Sequence, residues 1–218
     1  MKRSILALVL LICVLATTAC ARKKDPYEDI PNPVATITMN DGSQMRVELY
    51  PRYAPNTVAN FIWLANKGEY DGCQLFRVVS NVLVQGGDPE NNNGTGDKGY
   101  YIAGEFSDNG FEGNALSHTR GAISMARKTD YDTASSQFFI MEGSYPEYDG
   151  YYAAFGSITD AESFAVLDQI GSMPVDGNYR PLDRIIIRRI RVETYDVEYP
   201  EPQKLDKSFV DSKERKRK

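Results

Sequence analysis

Apolar positions along this chain fall mostly into short runs separated by glycine-bearing turns. Val34-Ala35-Thr36-Ile37-Thr38-Met39, the Asn40-Asp41-Gly42 turn and the segment from Gln44 to Tyr50 predict a hairpin. From Pro55 to Lys67 the period changes. Val58, Phe61, Ile62 and Ala65 share one helical face, with Pro55 fit for the first position and Gly68 for the stop. Thr159-Asp160-Ala161-Glu162 has a capping-box pattern and opens a second helix carrying Phe164, Leu167 and Ile170 on one side. Asp183 to Glu193 alternates in part and reads as a closing strand. Many strands and two helices predict a mainly β fold, an antiparallel barrel with helices over its ends.

One strand region carries candidate chemistry. In the β-branched run from Leu75 to Asp88, Arg77 and Gln85 stand an even number of positions apart. Two strands joined by a turn can therefore present both side chains to one surface, where a cation and an amide could grip a peptide carbonyl. An ordinary hairpin with its polar residues turned to water has the same pattern. The stretch Asn91-Asn92-Asn93-Gly94-Thr95-Gly96 lacks a Gly-Lys-Ser/Thr ending and a strand-to-helix setting, so it reads as a surface loop rather than a phosphate cradle.

The ends change the picture of where the domain works. Lys2 and Arg3 precede the apolar run Ile5 to Ala16, then Thr17-Thr18-Ala19 leads to Cys20. That run spans about 18 Å as a helix, short of the ~30 Å hydrocarbon core, and predicts an export signal over residues 1–19. Small residues ahead of Cys20 resemble a bacterial lipobox, which would make Cys20 the lipidated N-terminus, although Thr17 stands where leucine is usual. A plain secretory signal is the other reading. Residues 20–33, with Pro26, Pro31 and Pro33, read as a tether, and 197–218 as a charged, solvated C-terminal tail. Loss of the signal leaves 23 of the 25 basic residues against 30 acidic ones, a net charge of −7, which argues against nucleic acid as a partner. Cys73 is then left without a disulfide partner and reads as a packing residue, while the single His118 excludes a multi-histidine zinc site and reads as a loop or packing residue.

Several segments together carry a family resemblance. Tyr53 to Phe61, Leu75 to Asp88, Gly94-Thr95-Gly96, Gly104-Glu105-Phe106, Gly121 to Arg127 and Ser135 to Ile140 resemble, in order and spacing, a bacterial cyclophilin, a peptidyl-prolyl cis/trans isomerase. The likeness runs from about Val34 to Thr194 inside a domain set at 34–196. It implies a closed eight-stranded antiparallel β-barrel capped by two α-helices, working without a cofactor. It implies that Arg77 donates to the prolyl nitrogen and that Gln85 holds the substrate backbone. Val82, Leu83, Phe139 and Tyr148 would form the proline pocket, Tyr152 its edge, and Ala126, Arg127 and Gln137 the groove for the peptide main chain.

Some positions depart from the family pattern. Val82 replaces a usual phenylalanine; Tyr152 replaces a frequent histidine and Arg127 a common asparagine, both in the manner of bacterial members; and no tryptophan lies near Glu147, the only one being Trp63. These imply isomerase activity that is retained, at full or modest rate, and weak cyclosporin binding. The expected protein is a monomeric isomerase acting on proline-containing, unfolded or exported polypeptides, held by Cys20 on the outer side of a bacterial cytoplasmic membrane or elsewhere in the envelope. The other reading is a cyclophilin-shaped chaperone or peptide-binding module with little turnover.

Overall fold

The computed structural model describes residues 26–217. The signal, Cys20 and the start of the tether lie outside the described residues. The predicted first hairpin forms as β1 (Val34–Met39) and β2 (Gln44–Leu49). Gly42 at its turn sits at φ +93°, a left-handed conformation open to glycine at little cost. Helix α1 (Pro55–Asn66) follows with Pro55 in its first turn and Val58, Phe61, Ile62 and Leu64 buried. Its Ala54 cap offers no side-chain acceptor. The buried Glu105 carboxylate takes that place, accepting from the Asn56 N–H at 3.0 Å and the Thr57 N–H at 2.8 Å.

Strands β3 (Leu75–Val79) and β4 (Leu83–Gly86) form the second hairpin, and a short β5 (Tyr100–Tyr101) follows. Next come β6 (Ala122–Met125), β7 (Phe138–Met141) and β8 (Ala154–Ile158), then helix α2 (Ala161–Gly171) and β9 (Ile187–Glu193). Asp160 caps α2, its carboxylate accepting from the Ser163 N–H at 2.7 Å. Eight strands make one antiparallel sheet in the order β3-β4-β7-β6-β8-β2-β1-β9. Phe61, Tyr70, Phe138 and Phe155 pack inside its curl, with ring centroids 5.2 to 5.6 Å apart. Cys73 is buried there as expected, and burial pushes its thiol up to about 12.

Two expectations need correction. The sheet is a curled half-barrel, open rather than closed. Its edge strands β3 and β9 share no ladder, and a single bridge, Gln74 to Ile186, links the ends that lead into them. The reason lies before β9, where the chain turns at Gly177–Asn178 and pairs with itself, Val175 against Pro181, instead of running along β3. Val78 on β3 consequently donates to the Tyr179 carbonyl of that loop, at 2.9 Å.

The tail is also not merely solvated. Leu205–Asp206 forms β10 on β5, and helix α3 (Lys207–Arg217) follows, a third α-helix. Val210 is buried although the segment around it is charged. No helix among the described residues is long and apolar enough to cross a membrane.

Candidate active site

Strand pairing brings the predicted polar residues into one line. Arg77 and Gln85 are direct cross-strand partners, beyond a bulge at Leu75/Arg77, and Gln85 is in turn the partner of Phe139. Arg77 Nη1 donates to Gln85 Oε1 at 3.2 Å. Gln85 Nε2 donates to Gln137 Oε1 at 3.2 Å, and Gln137 Nε2 donates to the carbonyls of Gly94 at 3.1 Å and Gly96 at 2.8 Å. Each amide is thereby oriented by the next, and the half-buried guanidinium keeps further donors for a ligand.

The loop that receives Gln137 is built around a buried anion. Asp88 is fully buried. Its Oδ1 accepts from the N–H groups of Glu90 and Asn91, and its Oδ2 from those of Asn93, Gly94 and Gly96, at 2.9 to 3.2 Å. Burial pushes this carboxyl upward, but the five donors outweigh it and hold the group below the usual aspartate value. The glycine-rich loop therefore does cradle an anion, and that anion is the protein's own side chain. Gly94 sits at φ +91°, where a Cβ would come within 2.9 Å of the Phe76 ring.

Beside this polar line lies an apolar cluster separate from the main core, at the place of the expected proline pocket. Leu83 and Phe139 are buried in it, with Val82, Ala126, Tyr148 and Tyr152 partly buried around them. Phe139 meets Tyr152 edge-on at 5.5 Å and Tyr148 at 6.1 Å. Alternation along β7 turns Phe138 to the core and leaves Phe139 here.

Arg127 lines the adjoining cleft of about 120 Å³ with Gln85, Ala126 and Gln137, but its guanidinium is committed elsewhere. Nε and Nη2 bond the Tyr151 carbonyl and Nη1 those of Lys128 and Thr129, while the cation rests 4.6 Å from the Tyr152 ring. Arg127 thus shapes the groove wall by bracing Tyr152 and the 128–129 turn.

The sequence reading missed what lies beneath the pocket. His118 is 1% exposed and stacks on Phe139 at 6.0 Å and 21°. Its Nδ1 is 2.8 Å from Asp149 Oδ1 and its Nε2 3.0 Å from Ser124 Oγ. Burial lowers the histidine's pKa against the pull of Asp149, so the ring is neutral at pH 7: Nδ1–H donates to the carboxylate and the Ser124 hydroxyl donates to Nε2. Ser124 and His118 are both buried, so the hydroxyl and the imidazole are out of a substrate's reach and serve as the pocket floor. Tyr179 was missed as well. It sits at φ +62°, half exposed, with its ring centroid 6.0 Å from the Arg77 guanidinium carbon. Neither residue sits in a motif of the sequence that could have flagged it.

The curled sheet has counterparts among known proteins. Residues 34–192 match the family model described as cyclophilin type peptidyl-prolyl cis-trans isomerase/CLD. The chain belongs to the cyclophilin family. Peptidyl-prolyl cis-trans isomerase B of Bacillus subtilis is 44% identical over 127 residues, covering 58% of this chain and 84% of that protein. Peptidyl-prolyl cis-trans isomerase-like 2 of Gibberella zeae is 38% identical over 146 residues, 67% of this cyclophilin but only 24% of the much longer fungal protein. A crystal structure of a Cryptosporidium parvum cyclophilin, determined in the presence of the dipeptide Ala-Pro, superposes with a TM-score of 0.66 at 30% identity. It covers 73% of this chain and 98% of that one.

Proposed function

We propose that this cyclophilin rotates X-Pro peptide bonds in exported polypeptides, with Arg77 as the catalytic donor. The observation that carries the reading is the Arg77–Gln85–Gln137 line beside the Leu83/Phe139 pocket. X-Pro rotation must break amide resonance against a barrier of about 18–20 kcal/mol. At the twisted transition state the prolyl nitrogen becomes pyramidal and gains a lone pair. A guanidinium aimed at that lone pair stabilises the twisted state more than the planar one, which is the condition for catalysis. A differential of ~4–7 kcal/mol would speed the reaction roughly 10³- to 10⁵-fold.

The pocket holds the proline ring by apolar contact and the Gln85 and Gln137 amides hold the flanking main chain, so rotation is confined to one bond. Export and a lipid anchor at Cys20 rest on the sequence of residues 1–20. Tyr27 stacks on Tyr199 and Asn32 donates to Glu48, so within the 20–33 segment reach towards clients near the membrane would come from the residues before Tyr27. An exchange or coupled isomerase assay on the full chain, with Arg77→Ala alongside, tests the enzymatic reading. Mass spectrometry of membrane-bound protein tests the anchor, and an unmodified Cys20 removes it.

Val82 favours a second reading, a peptide-binding module with little turnover, because an aliphatic side chain stands where the pocket would gain an aromatic wall. Peptide binding at the pocket without acceleration would support it.

A further inference from the structure

The C-terminal segment that composition marks as a tail is fastened to the domain at several points. Gln203 and Asn56 exchange two hydrogen bonds, Gln203 N to Asn56 Oδ1 at 2.7 Å and Asn56 Nδ2 to the Gln203 carbonyl at 3.1 Å. Lys204 Nζ lies 4.0 Å from the Trp63 ring and 5.0 Å from that of Tyr100. Leu205 and Asp206 pair with Tyr101 and Tyr100. Lys207 Nζ then reaches Asp97 Oδ2 at 2.6 Å, with Lys128 Nζ 3.7 Å from the same oxygen, and Tyr101 donates to Asp211 at 3.1 Å.

Asp97 directly follows Gly96, whose carbonyl receives Gln137. An unbroken series of contacts therefore runs from Lys207 through Asp97 and Gly96 to Gln137, Gln85 and Arg77. Among the described residues none from the tail lines the cleft beside Gln137, so the segment grips the loop from outside and leaves the groove open. The Asp97 carboxylate is 10% exposed, and without a cation it would stay poorly solvated beside the groove.

We propose that the C-terminal segment acts as a clamp on the peptide groove, with Lys207 and Asp97 as positioning residues that fix the Gly94–Gly96 carbonyls and thereby the Gln137 amide. This rests on the assignment of Gln85 and Gln137 to the substrate groove. The clamp acts on the Gly94–Gly96 loop and not on the side chains of the Leu83/Phe139 pocket. Its loss should therefore weaken the hold on the peptide main chain and leave the rotating step largely intact.

The test compares the full chain with Lys207→Ala, Lys207→Arg, Asp97→Asn, the Lys207→Ala/Asp97→Asn double variant and a chain ending at Tyr199. Three quantities are read: KM and kcat with an X-Pro peptide, peptide affinity by NMR titration, and the side-chain amide signals of Gln137. Lys207→Ala should raise KM and the peptide Kd about two- to fivefold, as removal of a partly exposed ion pair does, with kcat within about twofold. The Gln137 signals should shift, Lys207→Arg should restore them, and the double variant should fall short of the sum of the singles. The chain ending at Tyr199 should show a larger change in the same direction. Unchanged Kd and Gln137 signals in Lys207→Ala, with or without a drop in melting temperature, would overturn the clamp and leave the tail a stabiliser only. Absence of turnover in the unaltered chain would instead count against the enzymatic reading, and peptide Kd and the Gln137 signals would still decide the clamp.

Discussion

His118 and Phe139 lie face to face, 6.0 Å apart at 21°, so the pocket's principal ring rests on a buried imidazole clamped between Asp149 and Ser124. The histidine's pKa is lowered in the fold, chiefly by burial. The unfolded chain, with a histidine near 6.5, takes up the proton first. The contribution of His118 is therefore complete above about pH 6.5 and is lost as pH falls below it. The Asp149 carboxyl, which burial pushes up but the His118 bonds hold below 3.8, adds a second loss only at more acid pH. Urea midpoints should be level from pH 8 to 7 and fall towards pH 5. In His118→Phe that fall should flatten, and a slope identical to the unaltered protein would contradict the neutral-histidine floor.

Asp88 is the hub of the loop that receives Gln137. Asp88→Ala orphans five N–H groups and should cost about 3 kcal/mol or more by denaturant unfolding. Because its carboxyl is held low in the fold, its contribution is present above about pH 4 and disappears as pH falls further. A loss below about 1 kcal/mol would mean that the loop holds its shape without the buried anion.

Val82→Phe should return an aromatic wall to the pocket beside Leu83 and Tyr148. A new aromatic contact is worth about 0.5–1.5 kcal/mol, so peptide affinity should rise about two- to tenfold. Titration with an Ala-Pro peptide checks this. Unchanged or weaker affinity would show that Tyr148 and Tyr152 already close the pocket.

The sequence carried the local geometry well. Even spacing placed Arg77 and Gln85 on one surface, and they are direct partners in the ladder. Alternation separated Phe138 from Phe139, and the spacing of Val58, Phe61, Ile62 and Ala65 marked the buried side of α1. Tertiary geometry was hidden. Whether β3 meets β9 depends on how the loop before Ile187 turns, and the Val175–Pro181 bridge that decides it has no periodic signal. The tail reads as solvated because its sequence is polar, yet it is held by individual pairs such as Lys207–Asp97 across 110 positions. His118 was invisible as a pocket element because its partner Asp149 is 31 residues away and Phe139 reaches it only through the curl of the sheet.

The central claim is that Arg77 stabilises the twisted X-Pro bond, and an isomerase assay with Arg77→Ala and Arg77→Lys tests it most directly. The account predicts acceleration by the unaltered chain and a fall in kcat/KM of about 10²- to 10³-fold in Arg77→Ala, with unfolding midpoint and peptide affinity nearly kept. Arg77→Lys should recover little, since an ammonium lacks the planar fork of donors. Equal turnover in Arg77→Ala and the unaltered protein would contradict the account.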